Sequence, residues 1–426
     1  MQAGSPHPAL SFGLSVSSGP ANDTLTTSVR FGQQNTTKTS RGLMQTLRDW
    51  SLRFWEIVRQ VGLGFVRSLE LGYDQLKMGV TISLGLMSFL PMPNRFRQYI
   101  ESKFLFGPIK ASHVTLIKDK ALRRQIVDPT FDMTLFKKEL TQAGFNLTYP
   151  EDDVRLSVWH IKAKPGMPTV MFSHGRGGNN SHLEHVLKTF SQKGYGIVVY
   201  DYPGFGQSSG YPTEDGLNKS GLAVSLYAQK VLGIPVSQQI LMGTSLGSMV
   251  ASDTAKRLIE HPQLCRDEKP PMALVLTSTF PALKNVFVYK RDRIAKALRY
   301  LFNEDKVKLK LPVQQNLTTH ITETKADQPA KARPLPIPIL MLQGENDKDT
   351  PPDMAWKMFQ SLSPVPPSER HKYNRKAATI HNGCNQFTIM SGSQHRLREK
   401  DYKTITAELT DFLQRQDISL NEKSTA

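Results

Sequence analysis

The segment Gly243-Thr244-Ser245-Leu246-Gly247 sets one serine between two glycines, directly after the apolar run Ile240 to Met242 and directly before a helical pattern that starts at Ser248. Strand, sharp turn and helix in that order give G-x-S-x-G its chemical meaning. Such a turn holds the serine in a strained conformation with room only for small neighbours, which accounts for Gly243 and Gly247. The Ser245 hydroxyl then projects from the sheet edge, and the helix start offers backbone N–H groups to a developing oxyanion. The chemistry this suggests is nucleophilic attack by Ser245; the alternative is a glycine-flanked structural turn.

A serine hydroxyl needs a base to take its proton, and the base needs an acid to fix its tautomer. Downstream, Ile339 to Leu342 reads as a buried strand that ends in Gln343-Gly344-Glu345-Asn346-Asp347-Lys348-Asp349-Thr350-Pro351. Asp347 is the expected acid, with Asp349 and Glu345 as rivals. Phe387 to Met390 reads as a last strand, followed by Ser391-Gly392-Ser393-Gln394-His395, so His395 is the expected base. His371 and His381 fall in a basic stretch and are expected to be solvated. Upstream, Phe172-Ser173-His174-Gly175-Arg176-Gly177-Gly178 follows another apolar run. A turn of this kind allows close backbone approach, so the Arg176 N–H pairs with that of Leu246 as the expected oxyanion hole. A phosphate loop is the competing reading. However, neither this stretch nor Gly204 to Gly210 has G-x-G-x-x-G spacing, and no G-x-x-x-x-G-K-[S/T] occurs. His174 is read as a structural residue of the turn.

The elements that must position these residues run from 154 to 413. Strands are expected at Val154–Ile161, Thr169–Ser173, Gly196–Tyr200, Gln239–Met242, Ala273–Thr277, Pro338–Leu342 and Gln386–Met390. Helices are expected at His182–Lys193, Leu217–Val231, Ser248–Glu260, Met354–Leu362 and Lys403–Gln414. Strands alternating with helices predict an α/β fold with a mostly parallel central sheet and helices on both faces. In such sheets chemistry collects at the carboxyl ends of the strands.

The order nucleophile, acid, histidine (245, 347, 395) is that of an α/β-hydrolase. Residues 154–413, about 60% of the chain, resemble the α/β-hydrolase superfamily through HGRGG at 174–178, YDYPGFGQSSG at 200–210, GTSLG at 243–247, GENDKDTP at 344–351 and GSQH at 392–395. Within it the likeness is to serine-aminopeptidase-like and membrane-associated abhydrolase-domain enzymes. The resemblance implies a Ser245–His395–Asp347 triad, oxyanion N–H groups from Arg176 and Leu246, and an N-terminal membrane segment. A pattern of this family passes quickly from the helix after the acid to the last strand, and the stretch 363–385 departs from it.

The rest of the chain bounds the function. With 426 residues, 39% of them hydrophobic, the sequence is long enough for a sizeable core, and two cysteines exclude a disulfide scaffold or a cysteine-rich zinc module. The net charge of +17 is concentrated in 1–150 and in 281–334, where 12 basic side chains meet 5 acidic ones. That distribution fits an anionic membrane surface or substrate better than nucleic acid, for which no specific role is expected. Residues 1–40 read as a disordered tail without a secretory signal. Residues 41–95 combine an amphipathic stripe (Leu43 to Leu76, with Arg48, Arg53, Arg59 and Arg67 between) with an uncharged run, Met78 to Asn94, in which about thirteen residues precede Pro91, too few to span comfortably. A packed helical hairpin and an interfacial anchor are both open for that segment. Residues 96–153 read as a connector, 280–335 as a helical cap over the site, 363–385 as a basic insertion and 416–426 as a tail.

The expectation is a serine hydrolase cleaving an ester, thioester or amide of a lipid-like or small-molecule acyl substrate, esterase or lipase rather than peptidase. It needs no metal or cofactor, and it is cytoplasmic, with peripheral membrane attachment as an option. A non-catalytic binding or scaffold protein on the same fold is the alternative. Nothing in the sequence sets an oligomeric state.

Overall fold

Runs of consecutive buried residues form the middle of a sheet because both of its faces are covered. In the computed structural model, which describes residues 106, 113–146, 153–282, 312–319, 333–362, 365–373, 376 and 378–418, these runs join one nine-stranded sheet. The elements in chain order are α1 (Lys120–Gln125), β1 (Thr130–Asp132), α2 (Lys137–Gln142), β2 (Arg155–Ile161), β3 (Thr169–Ser173), α3 (Glu184–Gln192), β4 (Gly196–Tyr200), α4 (Glu214–Lys230), β5 (Gln239–Thr244), α5 (Leu246–Glu260) and β6 (Ala273–Thr277). They continue with α6 (Val313–Asn316), β7 (Thr318–Thr319), β8 (Arg333–Pro334), β9 (Ile339–Gly344), α7 (Pro352–Leu362), α8 (Pro367–Arg370), β10 (Ala378–Asn382), β11 (Asn385–Met390) and α9 (Glu399–Arg415).

The sheet order is β1-β2-β4-β3-β5-β6-β9-β11-β10. The strands from β4 to β11 in that order run parallel, while β1, β2 and β10 pair antiparallel with their neighbours. Successive residues of a strand point to opposite faces, and the core divides accordingly. Met171, Val198, Leu241, Leu276 and Met341 pack with α4, α5 and α7, whereas Val170, Val199, Met242, Val275 and Leu342 pack with α3 and α9. From β3 the chain adds β4 on one side and later β5 on the other. The crevice beyond the ends of β3 and β5 is therefore a topological switch point, where ligands of open α/β sheets bind.

Several boundaries differ from the expectation for local reasons. Helix α4 begins at Glu214, ahead of the expected Leu217, because the Thr213 hydroxyl caps it by accepting from the Gly216 N–H at 2.9 Å. Helix α5 begins at Leu246, immediately after Ser245, and β5 runs two residues further, to Thr244. The interval 96–153, expected as a connector, contributes strand β1 and core residues. Phe131 stacks on Tyr227 at 4.4 Å, and the Arg257 guanidinium lies 3.7 Å from the Phe145 ring. The interval 363–385 contains edge strand β10, which hairpins onto β11, so His381 is half-buried there while His371 is exposed.

The expected tail 1–40 and the helical segment 41–95 lie outside the described residues, as does most of the expected cap 280–335. The described roots of that cap are closed against one another. The Gln314 N–H donates to Pro281 O at 3.0 Å, the Leu335 N–H donates to Leu317 O at 3.0 Å, and β7 pairs with β8. Among the described residues no helix is long and apolar enough to cross a membrane.

Candidate active site

Ser245 sits between the last residue of β5 and the first of α5 with φ 52° and ψ −117°, outside the region that non-glycine residues favour. The two glycines of the motif make this turn feasible. A Cβ on Gly247 would overlap the Ser173 carbonyl of the neighbouring strand, and one on Gly243 would overlap the Gly247 carbonyl. The Ser245 N–H donates to Thr277 O at 2.9 Å, which continues the β5–β6 ladder past the strand end and fixes the turn from below. Leu246, buried, opens α5, and its N–H is one of the four at a helix start with no intrahelical acceptor.

The structure brings together the three side chains expected to form the triad. Ser245 Oγ is 3.1 Å from His395 Nε2, and His395 Nδ1 is 3.0 Å from Asp347 Oδ2. Asp347 is buried beyond the carboxyl end of β9, and its carboxylate is held from both sides. Oδ1 accepts the backbone N–H groups of Asp349 (2.9 Å) and Thr350 (2.7 Å), and Oδ2 accepts from Gln343 Nε2 (3.0 Å) and Thr350 Oγ1 (2.8 Å) besides the imidazole. Both carboxylate oxygens of this buried side chain are thus hydrogen-bonded, which fixes its orientation towards the imidazole. The rivals have other places. Asp349 contributes its N–H to Asp347, and Glu345 Oε2 accepts from the Gly392 N–H at 2.8 Å, bracing the turn before His395. That turn is also tied to α9, where Ser393 Oγ donates to buried Asp401 at 2.6 Å. Gln343 and Thr350 escaped the sequence reading; the one signal for Thr350 was its place in GENDKDTP.

The turn after β3 lies against the nucleophile. A Cβ built on Gly175 would come 3.6 Å from Ser245 Cβ, which places this turn, and Arg176 after it, beside Ser245. The turn is anchored by groups the sequence reading passed over. The Tyr202 hydroxyl donates to His174 O at 2.7 Å, and buried Asp201 accepts from the Asn180 N–H at 2.9 Å and the Gln207 N–H at 3.2 Å. His174 itself is buried against the Tyr202 ring, and its Nδ1 faces Gly175 O at 2.8 Å. That leaves Nε2 buried without a hydrogen-bond partner, and burial pushes the imidazole down to about 4. Among the described residues no group of three or more His, Cys, Asp or Glu is arranged to hold a metal ion. A serine, an imidazole and a buried carboxylate in this row can pass a proton from hydroxyl to imidazole while the carboxylate stabilises the resulting charge.

Residues 168–267 match a family model described as the alpha/beta hydrolase fold. The chain is similar to the lysophosphatidylserine lipase ABHD12 of Rattus norvegicus, at 28% identity over 237 residues, which is 50% of this chain and 55% of that protein. It is also similar to protein ABHD12B of Homo sapiens, at 29% identity over 264 residues, 61% of this chain and 64% of that one. The chain thus spans little more than half the length of the first of these relatives. Among solved structures it is similar to an alpha-beta hydrolase from Vibrio vulnificus, with 19% identity and a TM-score of 0.42 over 73% of this chain and 96% of that one.

Proposed function

We propose that this chain, which belongs to the α/β-hydrolase superfamily, is a serine hydrolase of the esterase or lipase type acting on an ester-linked lipid. The observation that carries the reading is the continuous row Ser245 Oγ, His395 Nε2, His395 Nδ1, Asp347 Oδ2 at the switch point of the sheet. Ser245 Oγ attacks the acyl carbonyl carbon as its proton passes to His395 Nε2. The tetrahedral oxyanion is held by the backbone N–H groups of Arg176 and Leu246. His395 then gives its proton to the departing alcohol oxygen, and the carbon–oxygen bond breaks. Water, deprotonated by the same imidazole, attacks the acyl-enzyme and restores Ser245. Asp347 keeps the imidazole in the tautomer with its proton on Nδ1 and stabilises the imidazolium.

The named activity of the ABHD12 relatives supports a lipid ester as substrate, and the basic excess of 281–334 supports an anionic head group on it. In this reading 280–335 forms the cap over the acyl site, and 41–95 brings the enzyme to an anionic membrane surface. Thioester and amide cleavage, and a non-catalytic binding role, are the competing readings. A panel of p-nitrophenyl esters of rising chain length, a lysophospholipid, an acyl-CoA and an aminoacyl amide, each run against Ser245→Ala, separates them. The lysophospholipid and long-chain esters should be cleaved by the wild type alone, while turnover that survives Ser245→Ala would remove the proposal.

A further inference from the structure

The end of β6 carries two residues that touch all three elements of the reacting row, and neither belongs to that row. Thr277 O accepts the backbone N–H of Ser245 at 2.9 Å, and Thr277 Oγ1 lies 2.6 Å from Thr244 Oγ1 in the register partner of the neighbouring strand. The next residue, Ser278, is fully buried and has φ 47°, a left-handed conformation that a non-glycine residue adopts only at a cost. In that conformation each of its three polar groups reaches a different place. Its N–H donates to Leu342 O at 3.2 Å on the strand that carries the acid. Its carbonyl accepts from Thr350 Oγ1 at 3.1 Å, the hydroxyl that also lies 2.8 Å from Asp347 Oδ2 and 3.2 Å from His395 Nδ1. Its own hydroxyl donates to His395 O at 3.3 Å.

We infer that Ser278 is a positioning residue, a strained clamp that ties the histidine loop and the acid loop to the strand end under Ser245 and so sets the Ser245–His395 distance. This rests on the serine-hydrolase reading above. His395 comes from a turn after β11, which is separated from β5 in the sheet order by both β6 and β9, and so has no ladder contact with the nucleophile strand. A fixed bond from its backbone to β6 supplies that link. Strain persists only where the surroundings over-determine it, and it clusters at functional sites. A glycine at 278 would adopt the same φ without strain, so the serine is explained by its hydroxyl. Thr350 has one hydroxyl proton, for which Ser278 O competes with Asp347, so the same clamp also bears on how His395 Nδ1–H is shared between Asp347 and Thr350.

Two variants of the full chain test this. Ser278→Ala keeps the strain and loses the hydroxyl, and Ser278→Gly loses both. Turnover of a p-nitrophenyl ester is measured per serine titrated with a fluorophosphonate, alongside melting temperature and the pH profile of kcat/KM. The clamp predicts that kcat per titrated serine falls about 10- to 100-fold in both variants with KM within about threefold, as expected when reacting groups are misplaced. Ser278→Gly should melt at or above the wild-type temperature. The acid limb of kcat/KM should move to lower pH, because a loosened Asp347 contact stabilises the imidazolium less. Wild-type kcat per titrated serine in both variants would overturn the clamp, as would full recovery in Ser278→Gly of what Ser278→Ala loses. A wild-type enzyme that neither labels nor hydrolyses would instead overturn the hydrolase reading beneath it.

Discussion

His174 is buried with the Nδ1–H donating to Gly175 O and the Nε2 lone pair unpartnered, and burial lowers its titration from the ordinary 6.5 to about 4. Between those values the unfolded chain takes up a proton that the folded chain does not, so stability falls as pH drops from about 6.5 to about 4 and levels off below. The shift corresponds to about 3 kcal/mol. His174→Phe keeps the ring against Tyr202 and removes the titration. Urea unfolding at pH 7.5 and pH 4.5 should therefore show a smaller acid loss in the variant than in the wild type, and an equal loss would contradict the assignment. At the reacting row, Ser245→Ala and His395→Ala should each cut turnover by several orders of magnitude, because such groups act as a unit. Asp347→Asn should cost somewhat less, and Asp349→Ala should leave turnover within about threefold, since the backbone N–H that position 349 donates to Asp347 Oδ1 survives the substitution. Equal damage from both aspartate variants, with both still folded by circular dichroism, would mean that the acid is misassigned.

The elbow between β5 and α5 makes its own prediction. A methyl group on Gly247 overlaps the backbone of β3 with no flexible side chain to give way, so Gly247→Ala should lose more than about 3 kcal/mol in chemical unfolding and all activity. A folded, active Gly247→Ala would show that the elbow tolerates a wider approach. Elements of this kind were legible in the sequence because their signals are local. The parallel strands read as unbroken apolar runs, and the turn of Ser245 declares itself through glycines two residues away on either side. Edge strand β1 is three residues long and β10 mixes Thr379, His381 and Asn382 with its apolar positions, so neither carried a periodic signal. Gln343, Thr350 and Ser278 were hidden for a different reason. Their contacts with the row depend on how β6, β9 and the turn after β11 meet in space, and the left-handed φ of Ser278 has no residue type to announce it.

At the scale of the whole chain, the basic excess outside the catalytic segment predicts behaviour at surfaces. The 426-residue chain should float with anionic vesicles and release as salt rises, whereas neutral vesicles should leave it in solution. Binding that ignores both lipid charge and salt would exclude this electrostatic account. In the proposed reading of 280–335 as a cap, charge reversal at Arg291 and Arg293, two basic residues of that segment, should raise KM for an anionic lysophospholipid and leave a short neutral ester unaffected; equal effects on both would remove 280–335 as a determinant of specificity. The catalytic predictions rest on the claim that Ser245 is a nucleophile activated by His395. The most direct measurement is fluorophosphonate labelling of wild type, Ser245→Ala and His395→Ala, with the adduct located by peptide mass spectrometry. The account predicts one adduct, on Ser245, forming readily in the wild type, slowed by orders of magnitude in His395→Ala and absent in Ser245→Ala. An unlabelled wild type, an adduct on another residue, or equal labelling rates in wild type and His395→Ala would contradict it.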